Sequence, residues 1–458
     1  MDKLQAQVRL LPLLTRNIDL RKIAFAGVEF LLETKAGGQG NWQFPADDSS
    51  TKSAEAFKPS EINADHIRFE NFDLTYRDGK TGATTRFSLA DLRVAKQAAG
   101  NRLAVDLKAD YNGQPLTLAG QTGLVGELLG SKRFELELSG AFAEAAIKLK
   151  GAVDDVLKLK GVDLKLQASG DNLANLKLAK AIKLPKTTAF DLTGYLRGSK
   201  DAFALNGLSG TLAASNVNLE FSGNVGDLMA LEGIDLQLKG SGKDLEAIGT
   251  IIDRKLPTMD EFMVEGRLTG SAKGLSLLAA KADAKRGHLN LAVNGKVQDI
   301  VAFSGVNLKV KGSGRDLAEI GAIIDRKLPA TDVFEVQGRL TGSAKALSLQ
   351  AARGSARRGS LNIALNGGVK NLLTLRGLDL QSKLTGRDLT EFGEIVGAQL
   401  PATDQFEVLG RLTGSVETMA LQKASGRAKW GSVSLALNGE IMDVLALRSI
   451  NIRLKASG

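Results

Sequence analysis

Residues 334–342 read Phe-Glu-Val-Gln-Gly-Arg-Leu-Thr-Gly, and closely related stretches stand 72 residues to either side, at 262–270 and 406–414. Apolar Phe334, Val336 and Leu340 alternate with polar Glu335, Gln337 and Arg339. A period of two is the mark of a β-strand with one apolar and one polar face. Gly338 falls on the apolar side, as do Gly266 and Gly410 in the neighbouring copies. A glycine inside a strand weakens flat pairing and predicts a bend or a close approach. A weaker copy, Gly194-Tyr195-Leu196-Arg197-Gly198, precedes these three.

Other markers keep the same 72-residue step: Leu-Pro at 184–185, 256–257, 328–329 and 400–401, Asn-Gly at 294–295, 366–367 and 438–439, and Gly170, Gly242, Gly314, Gly386 and Gly458. No insertion breaks the phase. A strict period of this kind predicts an array whose units stack on their neighbours and present a long surface in place of one catalytic pocket. The chain therefore divides into an N-terminal segment of strands and linker (1–60), a degenerate β-repeat region (61–160), and four 72-residue β-repeats with the start of a fifth (161–458). In the N-terminal part the Ile18-to-Leu32 run is strand-like and Pro45 to Glu61 reads as a linker or long loop. Turn signals follow at Arg77 to Gly82 and at Asn112-Gly113, residue types that tolerate tight turns.

The unit 305–376 is the easiest to parse. Strands are expected at Val306–Val310, Phe334–Gly342, Leu347–Ala351 and Ser360–Val369. Between the first two lies a short helix with Asp316 as N-cap and Glu319 as its capping-box partner, an arrangement repeated by Asp388 and Glu391. Leu317, Ile320, Ile323 and Ile324 form its apolar stripe, and Pro329 stops it. An even number of strands returns the chain to its direction of entry, so units add by translation. The expected fold is mostly β: an elongated, repetitive, curved antiparallel β-sheet forming a groove, with one short helix per repeat and about 19 Å of length for each set of strands at ~4.8 Å spacing.

One face of such a sheet is apolar. In this unit it collects Val306, Leu308, Val310, Phe334, Val336 and Leu340, then Leu347, Leu349, Leu361, Ile363, Leu365 and Val369. The preceding unit adds Phe262, Val264, Leu268, Leu289 and Leu291, and the following one Phe406, Val408, Leu412, Leu435 and Leu437. At roughly 1.5–3 kcal/mol per buried side chain, the first set represents about 20–35 kcal/mol of burial, more than one short helix can cover. Soluble proteins rarely leave so large an apolar patch open. The sheet folds over on itself, or curls into a trough holding acyl chains, or packs on another protein. An aliphatic lining without polar groups suits alkyl chains.

Composition narrows the field further. The 51 glycines and 5% aromatic residues of the 458-residue chain fit strands and turns around an aliphatic interior. The absence of cysteine excludes disulfides and thiolate metal sites. The net charge of +9 comes from cations interspersed with acids, which reads as a solvated face and not as a nucleic-acid surface. No run of 18 apolar residues is present, and no signal-peptide core follows Met1-Asp2-Lys3.

Motifs that suggest chemistry dissolve on inspection. Gly240-Ser241-Gly242-Lys243-Asp244 lacks the leading glycine and the Ser or Thr of a phosphate-binding loop. The two histidines, His66 and His288, are isolated, and His288 is replaced by Ser360 and Ser432 in later units. The acids Asp253 and Glu261 are likewise replaced (Gly397, Val333), and the basic pairs Arg254-Lys255 and Arg357-Arg358 lack interleaved aromatics. No catalytic residue, metal site or cofactor is expected.

Leu10-Leu11-Pro12-Leu13-Leu14, the following strand-like run, and Gly40-Asn41-Trp42-Gln43-Phe44 resemble the opening of AsmA-family proteins. The repeated helix, Leu-Pro pair and Phe-x-Val-x-Gly-Arg-Leu-Thr-Gly unit resemble that family's C-terminal region. The resemblance implies a periplasmic protein tethered to the inner membrane, with a β-groove that carries phospholipid acyl chains toward the outer membrane. On that comparison the chain reads as a fragment without the family's N-terminal membrane anchor. Its implied partners are phospholipid and the membranes at the ends of the full-length protein. A rival from another class is a scaffold array with a closed apolar core.

Overall fold

The computed structural model describes residues 1–8, 19–42, 63–97, 102–177, 186–200, 202–245, 249, 256–323, 327–397, 399–444, 446 and 448–458. Several sequence features lie outside these residues: Leu10 to Leu14, Ile18, Gln43-Phe44, Pro45 to Glu61, Leu184-Pro185, Asp253, Arg254-Lys255 and Ile324. The chain forms two compact units, Met1–Ser215 with Glu220–Gly233, and Asn216–Leu219 with Ile234–Gly458.

In the first unit, β1 (Lys3–Val8), β2 (Asp19–Glu33), β3 (Asn63–Arg77), β4 (Thr84–Lys96), β5 (Leu103–Tyr111) and β6 (Gln114–Thr122) precede a short helix, α1 (Val125–Leu129). There follow β7 (Phe134–Phe142), β8 (Ala145–Asp155), β9 (Lys160–Gly170), β10 (Ala189–Ser199) and β11 (Ala202–Ala214). Each strand pairs with the next, antiparallel throughout except for the parallel β2–β3 pair. A parallel pair needs a crossover connection, and the residues between β2 and β3 supply its length. The predicted turns are in place: Asn112 and Gly113 take φ of 54° and 82° between β5 and β6. The Asn41 side chain accepts from Glu33 N at 3.0 Å and donates to the Leu31 carbonyl at 2.8 Å, closing the end of β2. Trp42 packs on Tyr76 with ring centroids 6.3 Å apart.

β12 spans Val217–Asp227. The second unit then runs through β13 (Glu232–Asp244), β14 (Thr258–Ser271), β15 (Gly274–Arg286), β16 (Leu289–Asp299) and β17 (Ser304–Gly314). Helix α2 (Ala318–Ile323) leads to β18 (Val333–Ser343), β19 (Ala346–Arg358), β20 (Leu361–Asn371) and β21 (Arg376–Gly386). Helix α3 (Leu389–Val396) leads to β22 (Gln405–Ser415), β23 (Met419–Trp430), β24 (Val433–Asp443) and β25 (Arg448–Ser457). From β13 to β25 every strand pairs antiparallel with its successor.

The glycine inside the motif strand has a definite role. Pairing of β18 with β19 passes from Gln337↔Arg353 to Arg339↔Gln350, so Gly338 stands against both Ala351 and Ala352. The same irregularity occurs at Gly194, Gly266 and Gly410. On the partner strand the bulged residue adopts left-handed φ at Gly207 (55°), Ala279 (49°), Ala351 (48°) and Lys423 (51°), again one per 72 residues. This bulge explains why β19 outruns the predicted Leu347–Ala351. The extra residue shifts parity, so Leu347 and Leu349 before it and Ala352, Gly354 and Ala356 after it share one face.

The helix sits where predicted, between the first two strands of a repeat. Among the described residues it is an α-helix in two repeats, Gly249 is helical at the matching place in the repeat before them, and a 3-10 turn at Leu173–Asn175 stands in the corresponding place earlier. Asp388 accepts from Thr390 N at 3.0 Å and Thr403 N at 3.4 Å, and Asp316 does the same for Ala318 and Thr331. Main-chain amides hold the Asp388 carboxyl below its usual range, that of Thr390 contributing most. The capping-box expectation for Glu391 is corrected. Its carboxylate accepts from Ser360 N at 3.0 Å, reaching across to the β19–β20 hairpin and tying helix to sheet. Glu319 likewise turns toward that hairpin's counterpart, 3.7 Å from His288 Nδ1. The N-cap backbone is instead supported by a threonine: Thr331 and Thr403 each take the first helical N–H and donate to the carbonyl preceding the cap.

Candidate functional site

The second unit separates the predicted apolar face into a buried margin and an open lane. Phe262, Leu289, Val306, Phe334, Leu361 and Phe406 are at most 3% exposed. These six are core and not a ligand lining, which corrects their assignment. For Leu361 and Phe406 the cause is local cover: α3 lays Leu389, Phe392 and Ile395 on Leu361, Leu384 and Phe406, with Ile363 and Val408 at the cluster's edge. In the preceding repeat Ile320 of α2 approaches the Gly312 position on the same face.

Val264, Leu268, Leu291, Leu308, Val336 and Leu340 are half-buried, as are Leu347, Leu349, Ile363, Leu365, Val408, Leu412, Leu435 and Leu437. Strand pairing brings them together: Leu308↔Leu340, Leu340↔Leu349 and Leu380↔Leu412 are direct neighbours. Their edges are covered by adjacent strands and their tops are open. The helices are too short to extend over them, at 6 and 8 residues. Toward the other end of the strands, burial returns at Val297, Val306, Val369 and Leu378.

The opposite face is polar and ion-paired, a feature missed from sequence although the arginine of the repeated motif is its signal. Arg267 makes two 2.6 Å hydrogen bonds to Asp235, and Arg411 bonds Asp379 at 2.6 and 2.7 Å. In the repeat between them Arg339 bonds Asn307 at 2.8 Å. The bound guanidinium holds the Asp235 and Asp379 carboxyls below their usual range and raises the arginines. Lys311–Glu335 (2.8 Å) and Lys383–Glu407 (2.7 Å) continue the pattern. Open depressions of about 770 and 670 Å³ also lie on this face, bordered by Lys285 and Asn290 in one and by Arg357 and Asn362 in the other. They lie between charged side chains on the side opposite the apolar lane.

His288 is exposed, in keeping with a surface role, and Gly240 to Asp244 is the end of β13. Among the described residues no group of three or more His, Cys, Asp or Glu is placed to hold a metal ion, and no helix is long and apolar enough to cross a membrane.

The chain is similar to AsmA family protein YhjG of Escherichia coli (strain K12), with 27% identity over 246 residues, 48% of this chain and 35% of the relative. The match supports AsmA family membership. The chain thus spans about a third of the length of the curated relative it matches. No family profile and no solved structure matches it. Within this AsmA-like chain, the Asn41-Trp42 pair that suggested the family is a structural closure of β2 against the strand bearing Tyr76.

Proposed function

We propose that the apolar lane binds the acyl chains of phospholipids and that the chain is a non-enzymatic, lipid-conducting part of a longer protein. In this reading the whole protein is tethered to the inner membrane, lies in the periplasm and contributes to building the outer membrane by carrying phospholipid toward it. The observation that carries the proposal is the row of half-buried Val, Leu and Ile side chains, Leu308, Val336, Leu340, Leu349 and Leu365 among them, left uncovered by helices that shield only the margin. An aliphatic surface offers dispersion and hydrophobic contact along its length and no polar group to fix one ligand in one pose. Similar linings in successive repeats favour sliding over a single deep site.

A structural array with a closed core is the competing reading, and the buried phenylalanines favour it at one margin only. Organic extraction of protein purified without detergent distinguishes the two. Co-purifying phospholipid is expected; a well-folded sample that yields none leaves the scaffold as the better account.

A further inference from the structure

One long edge of the second unit's sheet is a rigid ledge of hairpin tips. Successive tips are hydrogen-bonded sideways: Ile300 N to Leu275 O (2.8 Å), Ala344 N to Phe303 O (2.9 Å), Leu372 N to Leu347 O (2.7 Å) and Val416 N to Leu375 O (3.2 Å). The β16–β17 tip is further set by Asp299, which accepts from Val301 N and Ala302 N at 2.9 Å, and the β20–β21 tip by Asn371, which accepts from Leu373 N and Thr374 N at 3.1 Å. Phe303 and Leu375 close these turns with left-handed φ of 47° and 50°.

Turn chemistry accounts for the Asp and Asn, but it does not call for large apolar residues at the apex, where polar residues normally sit. Yet Val301 is 64% exposed, Leu373 45% and Val416 41%. Two of the other tips carry cations: Lys273 at β14–β15 and Lys345 at β18–β19 are exposed, as is Arg376 beside the Leu373 tip, with Asp299, Glu417 and Asp443 as acids of the row. The first unit has the same habit by itself, with Leu157 63% and Met229 78% exposed at hairpin tips. Scattered exposed apolar residues need no explanation. From β14 to β21 the tips alternate in turn, Lys273, Val301, Lys345 and Leu373, on a hydrogen-bonded edge; this is the pattern of an interfacial surface, whose apolar groups enter the headgroup layer while its cations meet lipid phosphates.

We propose that this ledge docks on the surface of an anionic lipid bilayer. The surface differs from the acyl-chain lane, and the proposal stands whether or not that lane carries lipid. The test is flotation of the whole chain with vesicles of phosphatidylglycerol and phosphatidylcholine, compared with vesicles of phosphatidylcholine alone. Wild type is expected to float with the anionic vesicles and to be released by salt at about 0.5 M, where screening is nearly complete beyond ~4 Å. Lys273→Glu with Lys345→Glu, and separately Val301→Ser with Leu373→Ser, should each weaken binding on the order of tenfold, while Gln337→Asp on the polar face, away from the tips, leaves it unchanged. Equal binding to both vesicle types, indifference to salt, or undiminished binding by both double variants overturns the proposal. So does sedimentation showing that the wild type self-associates and that Val301→Ser with Leu373→Ser makes it monomeric, since the ledge would then join two copies.

Discussion

Leu349 lies over Gly338: a Cβ on that glycine would stand 2.7 Å from Leu349 Cδ1, inside contact distance. The pair recurs as Leu277 over Gly266, at 2.7 Å from such a Cβ, and as Leu421 over Gly410. The glycine thus makes room on the apolar face for a leucine of the next strand, at the point where the bulge bends the pairing. Gly338→Val should cost about 1–3 kcal/mol in urea unfolding, the usual range for overpacking. Leu349→Ala in the same chain should recover part of that loss, because the two changes relieve one clash. Additive losses would show that the leucine is not what the glycine accommodates.

Ala351 holds a left-handed φ of 48°, where the first repeat places Gly207. Glycine adopts this region without a Cβ penalty, whereas alanine pays on the order of 1 kcal/mol. Ala351→Gly should raise the unfolding midpoint, and Ala351→Val should lower it. Opposite signs would mean that the bulge does not retain this conformation in solution.

The Asp235 and Asp379 carboxyls titrate below their ordinary value of 3.8 because each is hydrogen-bonded to an arginine. A depressed folded pKa means that the unfolded chain takes up the proton first. The stabilisation is therefore complete above 3.8 and fades as pH falls through the lower folded value. Asp379→Asn, which imitates the natural Asn307–Arg339 pair, should flatten this part of the acid unfolding curve. An acid limb unchanged in Asp235→Asn with Asp379→Asn would assign it to other carboxylates.

Photo-crosslinkers at Val264, Val336 and Val408 should capture lipid, and those at Glu265, Gln337 and Glu407 should not, since strand side chains alternate between faces. Val336→Asp places a charge that resists desolvation in the lane and should abolish transport by the full-length protein, while Gln337→Asp is tolerated. Circular dichroism establishes first that both remain folded. Full complementation of a deletion strain by folded Val336→Asp would rule out passage along this face.

Asp388→Ala removes the acceptor of two main-chain amides and should cost about 0.5–2 kcal/mol. Because α3 covers Phe406 and Leu361, the loss should be accompanied by faster amide exchange in β20 and β22 near these residues. Protection confined to α3 itself would show that the helix is not needed to shield the margin.

Much of this protein was legible in its sequence because strand chemistry is periodic. Alternation at Phe334, Val336 and Leu340 determined which side chains share a face, and the 72-residue step determined that each repeat carries the same strands and helix position. The resemblance at Asn41-Trp42 pointed to the AsmA family, and an AsmA family protein is what the chain is similar to. The tertiary structure alone decided what periodicity does not encode. It lengthened β19 through a left-handed bulge at Ala351, turned Glu391 from its own helix cap to Ser360, and joined Arg411 to Asp379 across strands 32 residues apart. It also divided the apolar face, burying Phe334 and Leu361 while leaving Val336 and Leu340 half-open. Alternation says only on which side of the sheet a residue lies. How far that side is covered depends on the reach of a short helix and on neighbours brought close by pairing, and these are properties of the folded chain.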